Sequence, residues 1–183
     1  MPILSGKAFF DIDTQIDFLF PAGALYKTGA EQVIPAVAAL NNYAAKHGIA
    51  VISTTCAHTE NAAEFQVWPP HCIVDTFGQK KPAATLLPAG KQIIIEKNEL
   101  DLFSNADLIP LLDKLGIDEC FVYGVLTEYC VKFAIMGLLK TGRKVRLVTD
   151  AIYAKDEAAA REVIAAFEAA GGTCVTVETV TSS

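Results

Sequence analysis

Short apolar runs alternate with stretches of helical period from one end of the chain to the other, and this alternation constrains the fold more than any other feature. Residues 8–12, 48–54, 92–95, 119–123, 144–149 and 173–177 read as six buried strands, several of them rich in β-branched residues. Residues 31–47, 106–115, 127–140 and 156–170 carry apolar side chains at helical spacing. Gly48, Gly116 and Gly171 stand where three of those helices must stop. Runs that are apolar throughout suit a mostly parallel sheet covered on both faces, so the expected fold is α/β, doubly wound, with helices on either side of a six-stranded sheet. With 183 residues, 52% hydrophobic and 20% charged, the chain is expected to form a single domain spanning residues 1–183. Residues 57–90 break the pattern. They lack a period and are rich in proline, histidine and aromatic residues, and so long a loop in a compact domain is usually functional.

Charge and cysteine content exclude several classes. Fifteen basic against twenty-one acidic residues give a formal charge of -6 with no basic tract, which argues against binding nucleic acid through its phosphates. Residues 1–7 do not resemble a secretory signal, and no apolar run is long enough to span a bilayer, so a cytoplasmic protein without membrane association is expected. The five cysteines are widely spaced and odd in number, which favours reduced thiols.

In an open parallel sheet, ligands bind beyond the carboxyl ends of the strands. The first apolar run is followed by Asp11, Asp13 and Asp17, the second by Cys56 and His58, the third by Glu96 and Lys97, and the fourth by the stretch from Gly124 to Cys130. Cys130 should fall in the first turn of a helix, where the helix dipole and a nearby ammonium would lower a thiol pKa from about 8.5 into the range of roughly 3.5–7.5. Lys97 ends an apolar run, so its buried ammonium needs an anion. A carboxylate at the end of the first strand could accept the thiol proton and return it to a leaving amine. Alternation puts Asp11 and Asp13 on one face, and spacing does not choose between them.

The segment from Asp13 to Phe18, followed by Pro21 to Leu25, Trp68 to Cys72, Lys97, and Gly124 to Cys130, resembles the cysteine hydrolases of the isochorismatase-like superfamily, most closely the nicotinamidases. The four motifs keep their order over nearly the whole chain. The resemblance implies an amidohydrolase that converts nicotinamide to nicotinate and ammonia through a cysteine thioester. Asp13 would be the acid and base, Lys97 the triad lysine and Cys130 the nucleophile. It further implies a non-proline cis peptide at Val125–Leu126, with the Leu126 and Cys130 amides forming an oxyanion hole. Phe18 and Trp68 match positions that sandwich a substrate ring, with Gln15 and Tyr129 as further pocket residues.

The same resemblance implies a metal site whose ion binds the pyridine nitrogen. Its pattern maps to Cys56, His58, Glu64 and His71, with a cysteine in place of the usual aspartate and a glutamate in place of one histidine. Imidazole, carboxylate and thiolate donors together suit Zn²⁺. These departures keep open a related amidohydrolase for another small carboxamide or carbamoyl substrate, while a non-catalytic relative used for binding or thiol chemistry is an alternative that the intact Asp13, Lys97 and Cys130 set argues against. Isochorismate hydrolysis needs no cysteine, so Cys130 argues against that branch. Members of the superfamily are often homo-oligomers, and a small-molecule amide is the expected partner.

Overall fold

The computed structural model describes residues 6–182. The reading of the N-terminus as free of a signal falls mostly on residues outside that range. Strand β1 (Lys7–Ile12) leads through the short helix α1 (Ile16–Leu19) to α2 (Ile34–Lys46) and β2 (Ala50–Cys56). After the long loop come β3 (Ile93–Lys97), α3 (Leu108–Lys114), β4 (Glu119–Val125), α4 (Lys132–Lys140), β5 (Lys144–Tyr153), α5 (Glu157–Ala169), β6 (Thr173–Val175) and α6 (Val177–Thr181). All six strands pair in parallel in the order β3-β2-β1-β4-β5-β6. The chain therefore winds outward one way from β1 and then the other way from β4, and the switch point lies between those two strands.

Phe9 and Phe10 show how the sheet is covered. Being adjacent in an extended strand, they point to opposite faces, and each is buried. Phe10 packs with Leu108, Leu112, Ala134, Ile135, Leu138 and Phe167 beneath α3, α4 and α5, whereas Phe9 packs with Val37, Leu40, Ala44 and Val180 beneath α2 and α6. In α2, Val37, Leu40 and Ala44 recur at i, i+3 and i+7, and in α5 Ala160, Val163 and Phe167 do the same, so each helix buries one stripe. Asp156 caps α5 by accepting hydrogen bonds from the amides of Ala158 and Ala159. Truncating Phe10 to alanine removes a ring from the centre of one layer, at a cost of about 3–5 kcal/mol.

Where β4 crosses the switch point, Gly124 adopts φ 117°, and a Cβ there would lie 2.2 Å from the Ile12 carbonyl oxygen. Only glycine lets β4 run this close to the end of β1. The expected sixth strand ends early, since Thr176 accepts a hydrogen bond from the Thr179 amide and starts α6 at Val177. The long loop contains only two brief 3₁₀ turns, Ala63–Gln66 and Ala83–Thr85, which explains its lack of a period. No helix among the described residues is long and apolar enough to cross a membrane.

Candidate active site

Asp13 lies just past β1 with φ 47°, in the left-handed region that costs a non-glycine residue of order 1–3 kcal/mol unless its surroundings impose it. Those surroundings come from β2. The Asp13 amide donates to the Thr54 carbonyl (3.2 Å), and the Thr54 hydroxyl donates to Asp13 Oδ1 (2.7 Å). Lys97, the last residue of β3, reaches over the end of β2 and places Nζ 2.8 Å from Asp13 Oδ2, with both side chains fully buried. The same ammonium lies 3.5 Å from Cys130 Sγ and donates to the Glu99 carbonyl at 2.9 Å. Asp13, Lys97 and Cys130, separated by up to 117 positions in the sequence, thus meet at the switch point.

The electrostatics assign distinct states to the three groups. Burial alone would raise the Asp13 pKa, but the Lys97 charge and hydrogen bonds from Cys130, Lys97 and Thr54 hold it below the usual carboxylate value. Burial works against the Lys97 ammonium too, yet Asp13 and the two nearby sulfurs keep it charged, with a pKa well above normal. Cys130 departs from the sequence-based expectation. Its pKa is raised, first by a hydrogen bond with Cys56, then by burial and the Asp13 charge, and Lys97 offsets these only in part. The turn around Cys130, residues Thr127–Val131, is a single π-helical turn rather than the start of a regular helix. The resting site therefore pairs a neutral thiol with an ionised base, an arrangement for proton transfer at the moment of attack.

Asp11 does not share the Asp13 face as alternation suggested, because the left-handed turn at Asp13 ends the extended geometry. Its carboxylate faces α2 and pairs instead with Lys81 at 3.0 Å. Thr14, Asn41 and Ser53 also donate to it, and Lys81 donates to the Thr14 hydroxyl at 2.6 Å. Asp11 and Thr14 flank Asp13, so this buried network braces its turn from behind. The sequence reading missed Lys81, which lies in the aperiodic loop 70 residues from its partner. It also missed Thr54 as a partner of Asp13.

His58, Glu64 and His71 come together, with one donor atom of each within 4.8 Å of the others. His58 is fully buried, and neither ring nitrogen has a hydrogen-bond partner among the described residues. Burial, followed by the proximity of His71, pushes its pKa down to about 4, so it stays neutral at pH 7. His71 Nδ1 lies 2.8 Å from the Pro69 carbonyl, which can only accept, so Nδ1 carries a proton and Nε2 is the ring nitrogen facing Glu64, at 3.8 Å. Two imidazoles and a carboxylate make a donor set that fits a divalent ion such as Zn²⁺.

Cys56, the fourth expected donor, is not part of that group. Its sulfur lies with Asp13 and Cys130, 3.6 Å from Asp13 Oδ2 and 3.5 Å from Lys97 Nζ.

A narrow slot of about 20 Å³ opens onto Cys130, lined by Phe18, Leu25, Trp68, Leu100, Leu126 and Tyr129, with Cys56, Glu64 and His71 on its walls. Trp68 meets Tyr129 edge to face at 5.2 Å, and Phe18 meets His71 edge to face at 5.8 Å. The Val125–Leu126 peptide is cis. Gln15 lies in the frame rather than on the slot. Its two amide hydrogens go to the Cys56 and Gln79 carbonyls, and its carbonyl accepts from the Cys56 amide. Asp17 has a similar role, accepting from the Cys72 amide at 2.6 Å next to His71.

Comparison with known proteins identifies the family and the fold. The isochorismatase domain family matches residues 7–179. The nicotinamidase of Escherichia coli (strain K12) is 26% identical over 175 residues, covering 79% of this chain and 81% of that one. The pyrazinamidase of Pyrococcus horikoshii, crystallised in complex with zinc, has a TM-score of 0.88 at 27% identity, covering 94% of this chain and 99% of that one. PnC1 from L. infantum, crystallised with nicotinate, has a TM-score of 0.86 at 27% identity, covering 97% and 96%. With the family matched over nearly the whole chain and the same fold in its solved relatives, the chain belongs to the isochorismatase domain family.

Proposed function

We propose that this isochorismatase-family amide hydrolase is a nicotinamidase, acting as one domain over residues 1–183. The observation that carries this reading is the buried Asp13–Lys97–Cys130 cluster, which opens through Cys130 onto an aromatic slot walled in part by His71 and Glu64, with the buried His58 beside them. Asp13 takes the Cys130 proton as the sulfur attacks the carboxamide carbon. The Leu126 and Cys130 amides receive the charge that develops on the oxygen. The C–N bond then breaks, and ammonia departs with the proton that Asp13 held. Water, deprotonated by the same carboxylate, cleaves the thioester. Lys97 keeps Asp13 ionised in the resting site, ready to take the thiol proton, and balances the charge passing between oxygen and sulfur.

Phe18 and Trp68 would hold a flat heteroaromatic ring between them, with Tyr129 steadying the Trp68 indole from its edge. His58, Glu64 and His71 would hold a Zn²⁺ ion, which when bound supplies a Lewis acid for the pyridine nitrogen. Glu64 in a position otherwise occupied by histidine, together with the placement of Cys56, favours as second reading another small carboxamide or carbamoyl compound. Ammonia release from nicotinamide by the purified protein, with Cys130→Ala as background, tests the proposal. Turnover that is lost on chelation and restored by Zn²⁺ supports it in full. A parent protein no faster than Cys130→Ala on nicotinamide, yet active on other small amides, would overturn it in favour of the second reading.

A further inference from the structure

The mechanism uses one thiol, yet the site contains two. Cys56 ends β2 and Cys130 follows β4. The strand between them, β1, stops at Ile12, so the two sulfurs meet across the Asp13 turn, no more than 4.8 Å apart. Lys97 Nζ is 3.5 Å from each sulfur, and Asp13 Oδ2 is 3.6 Å from Cys56 Sγ. An ammonium that can stabilise either thiolate and a carboxylate that can take a proton therefore serve both thiols. Both also line the slot through which substrate reaches Cys130. Cys72, Cys120 and Cys174 do not belong to this cluster.

We propose that Cys56 and Cys130 form a peroxide-sensitive dithiol, in which oxidised Cys130 is captured by Cys56 as an intramolecular disulfide that reversibly silences the nucleophile. Hydrogen peroxide is the oxidant. In the first step Cys130 Sγ attacks one peroxide oxygen, the O–O bond breaks, and the hydroxide released leaves as water with the thiol proton, giving a sulfenic acid. In the second, Cys56 Sγ attacks the sulfenic sulfur, the S–OH bond breaks, and a second water carries away the Cys56 proton. Two thiols lose two electrons in all, and one peroxide gains them. The sulfurs must close to about 2.05 Å, a short movement from their present separation. Cys56 thereby competes with further oxidation of Cys130 to the sulfinic and sulfonic acids, which are not reversed by ordinary thiols.

The cross-link depends only on the placement of the thiols, while its effect on turnover rests on Cys130 being the nucleophile. Mass spectrometry keeps these apart, because it does not depend on which amide is the substrate. The reduced full-length protein is treated with an equivalent of hydrogen peroxide, alkylated under denaturing conditions and mapped by peptide. The expected result is a Cys56–Cys130 linked peptide, a mass loss of two hydrogens, and free thiols falling from five to three. Amide turnover, measured in parallel, falls to the Cys130→Ala background and returns after incubation with dithiothreitol. In Cys56→Ser, and in Cys56→Ala as a second variant in case serine perturbs the site, excess peroxide adds two or three oxygens to Cys130, consuming one peroxide for each, and dithiothreitol does not remove them, whereas the parent under the same excess retains the reducible cross-link. Absence of the linked peptide from the oxidised parent, or equal recovery of Cys130 by parent and Cys56 variants, would overturn the proposal.

Discussion

Replacing Lys81 with methionine tests whether the network behind Asp13 is as important as its geometry implies. The substitution keeps the length and apolar stem of the side chain but removes the ammonium 3.0 Å from Asp11, in a place where the two side chains are 2% and 0% exposed. Breaking a buried ion pair from one side costs about 3–5 kcal/mol, because the remaining charge is stranded. Asp11 keeps hydrogen bonds from Thr14, Asn41 and Ser53, which places the loss near the lower end, about 3 kcal/mol. For a chain of this size each kcal/mol shifts the melting temperature by about 2–4 °C, so Lys81→Met should melt roughly 6–12 °C lower. Urea unfolding should show a lower midpoint with an unchanged slope. The double variant Asp11→Asn, Lys81→Met no longer strands a charge and should recover part of the loss, with a coupling energy of about 1–3 kcal/mol. A Lys81→Met protein within about 1 kcal/mol of the parent, or single-variant losses that simply add in the double variant, would refute the reasoning.

Other expectations concern the site itself. Asp13→Asn should lower amide turnover by about 10²–10⁴-fold while leaving Cys130 in place, as checked by steady-state ammonia release. Because Asp13 is held below the usual carboxylate value, the acid limb of its rate profile should lie at lower pH than an ordinary aspartate would give. Its contribution to stability is present above the unfolded-state pKa and is lost as pH falls through the depressed folded value, which acid unfolding of parent and Asp13→Asn can compare. His58 behaves differently, since its folded pKa of about 4 lies below the unfolded value of 6.5, so the unfolded chain takes up the proton first. Stability in metal-free buffer should therefore decline as pH falls from about 6.5 to 4, and a His58→Gln protein should lose this slope. Trp68→Ala should raise KM for nicotinamide more than it lowers kcat, by about 10-fold if the ring contact is worth about 1.4 kcal/mol.

The sheet was legible because its strands are buried on both faces and written as continuous apolar runs, Phe9-Phe10 being the clearest case. The strand ends were not. β2 extends through Thr55 and Cys56 and β3 through Glu96 and Lys97, where the apolar run gives way and the last residue of each strand, Cys56 or Lys97, belongs to the site. Hydrophobic pattern fades where chemistry begins, so the runs looked one or two residues too short. Asp13, Lys97 and Cys130 were marked by position at strand ends and by resemblance, and geometry brings them together. Cys56 was assigned by motif alignment to the metal donors, but alignment carries no side-chain direction, and its sulfur faces Lys97. The raised pKa of Cys130 was hidden for a related reason. Position near a helix start predicts a thiolate, whereas the Cys56 hydrogen bond and the Asp13 charge that oppose it come from residues more than 70 positions away.

Lys97 belongs to β3, one of the two edge strands, which pairs with β2 on one side only. Marginal strands open locally at a lower free energy than the centre of a sheet. If β3 lifts from β2, the ammonium leaves Asp13 while the thiol and carboxylate stay anchored on interior strands. Activity would then fail by fraying at one border of the sheet, at temperatures where the bulk of the molecule is still folded. Amide exchange at Ile95 and Lys97 would track that loss more closely than any global melting signal.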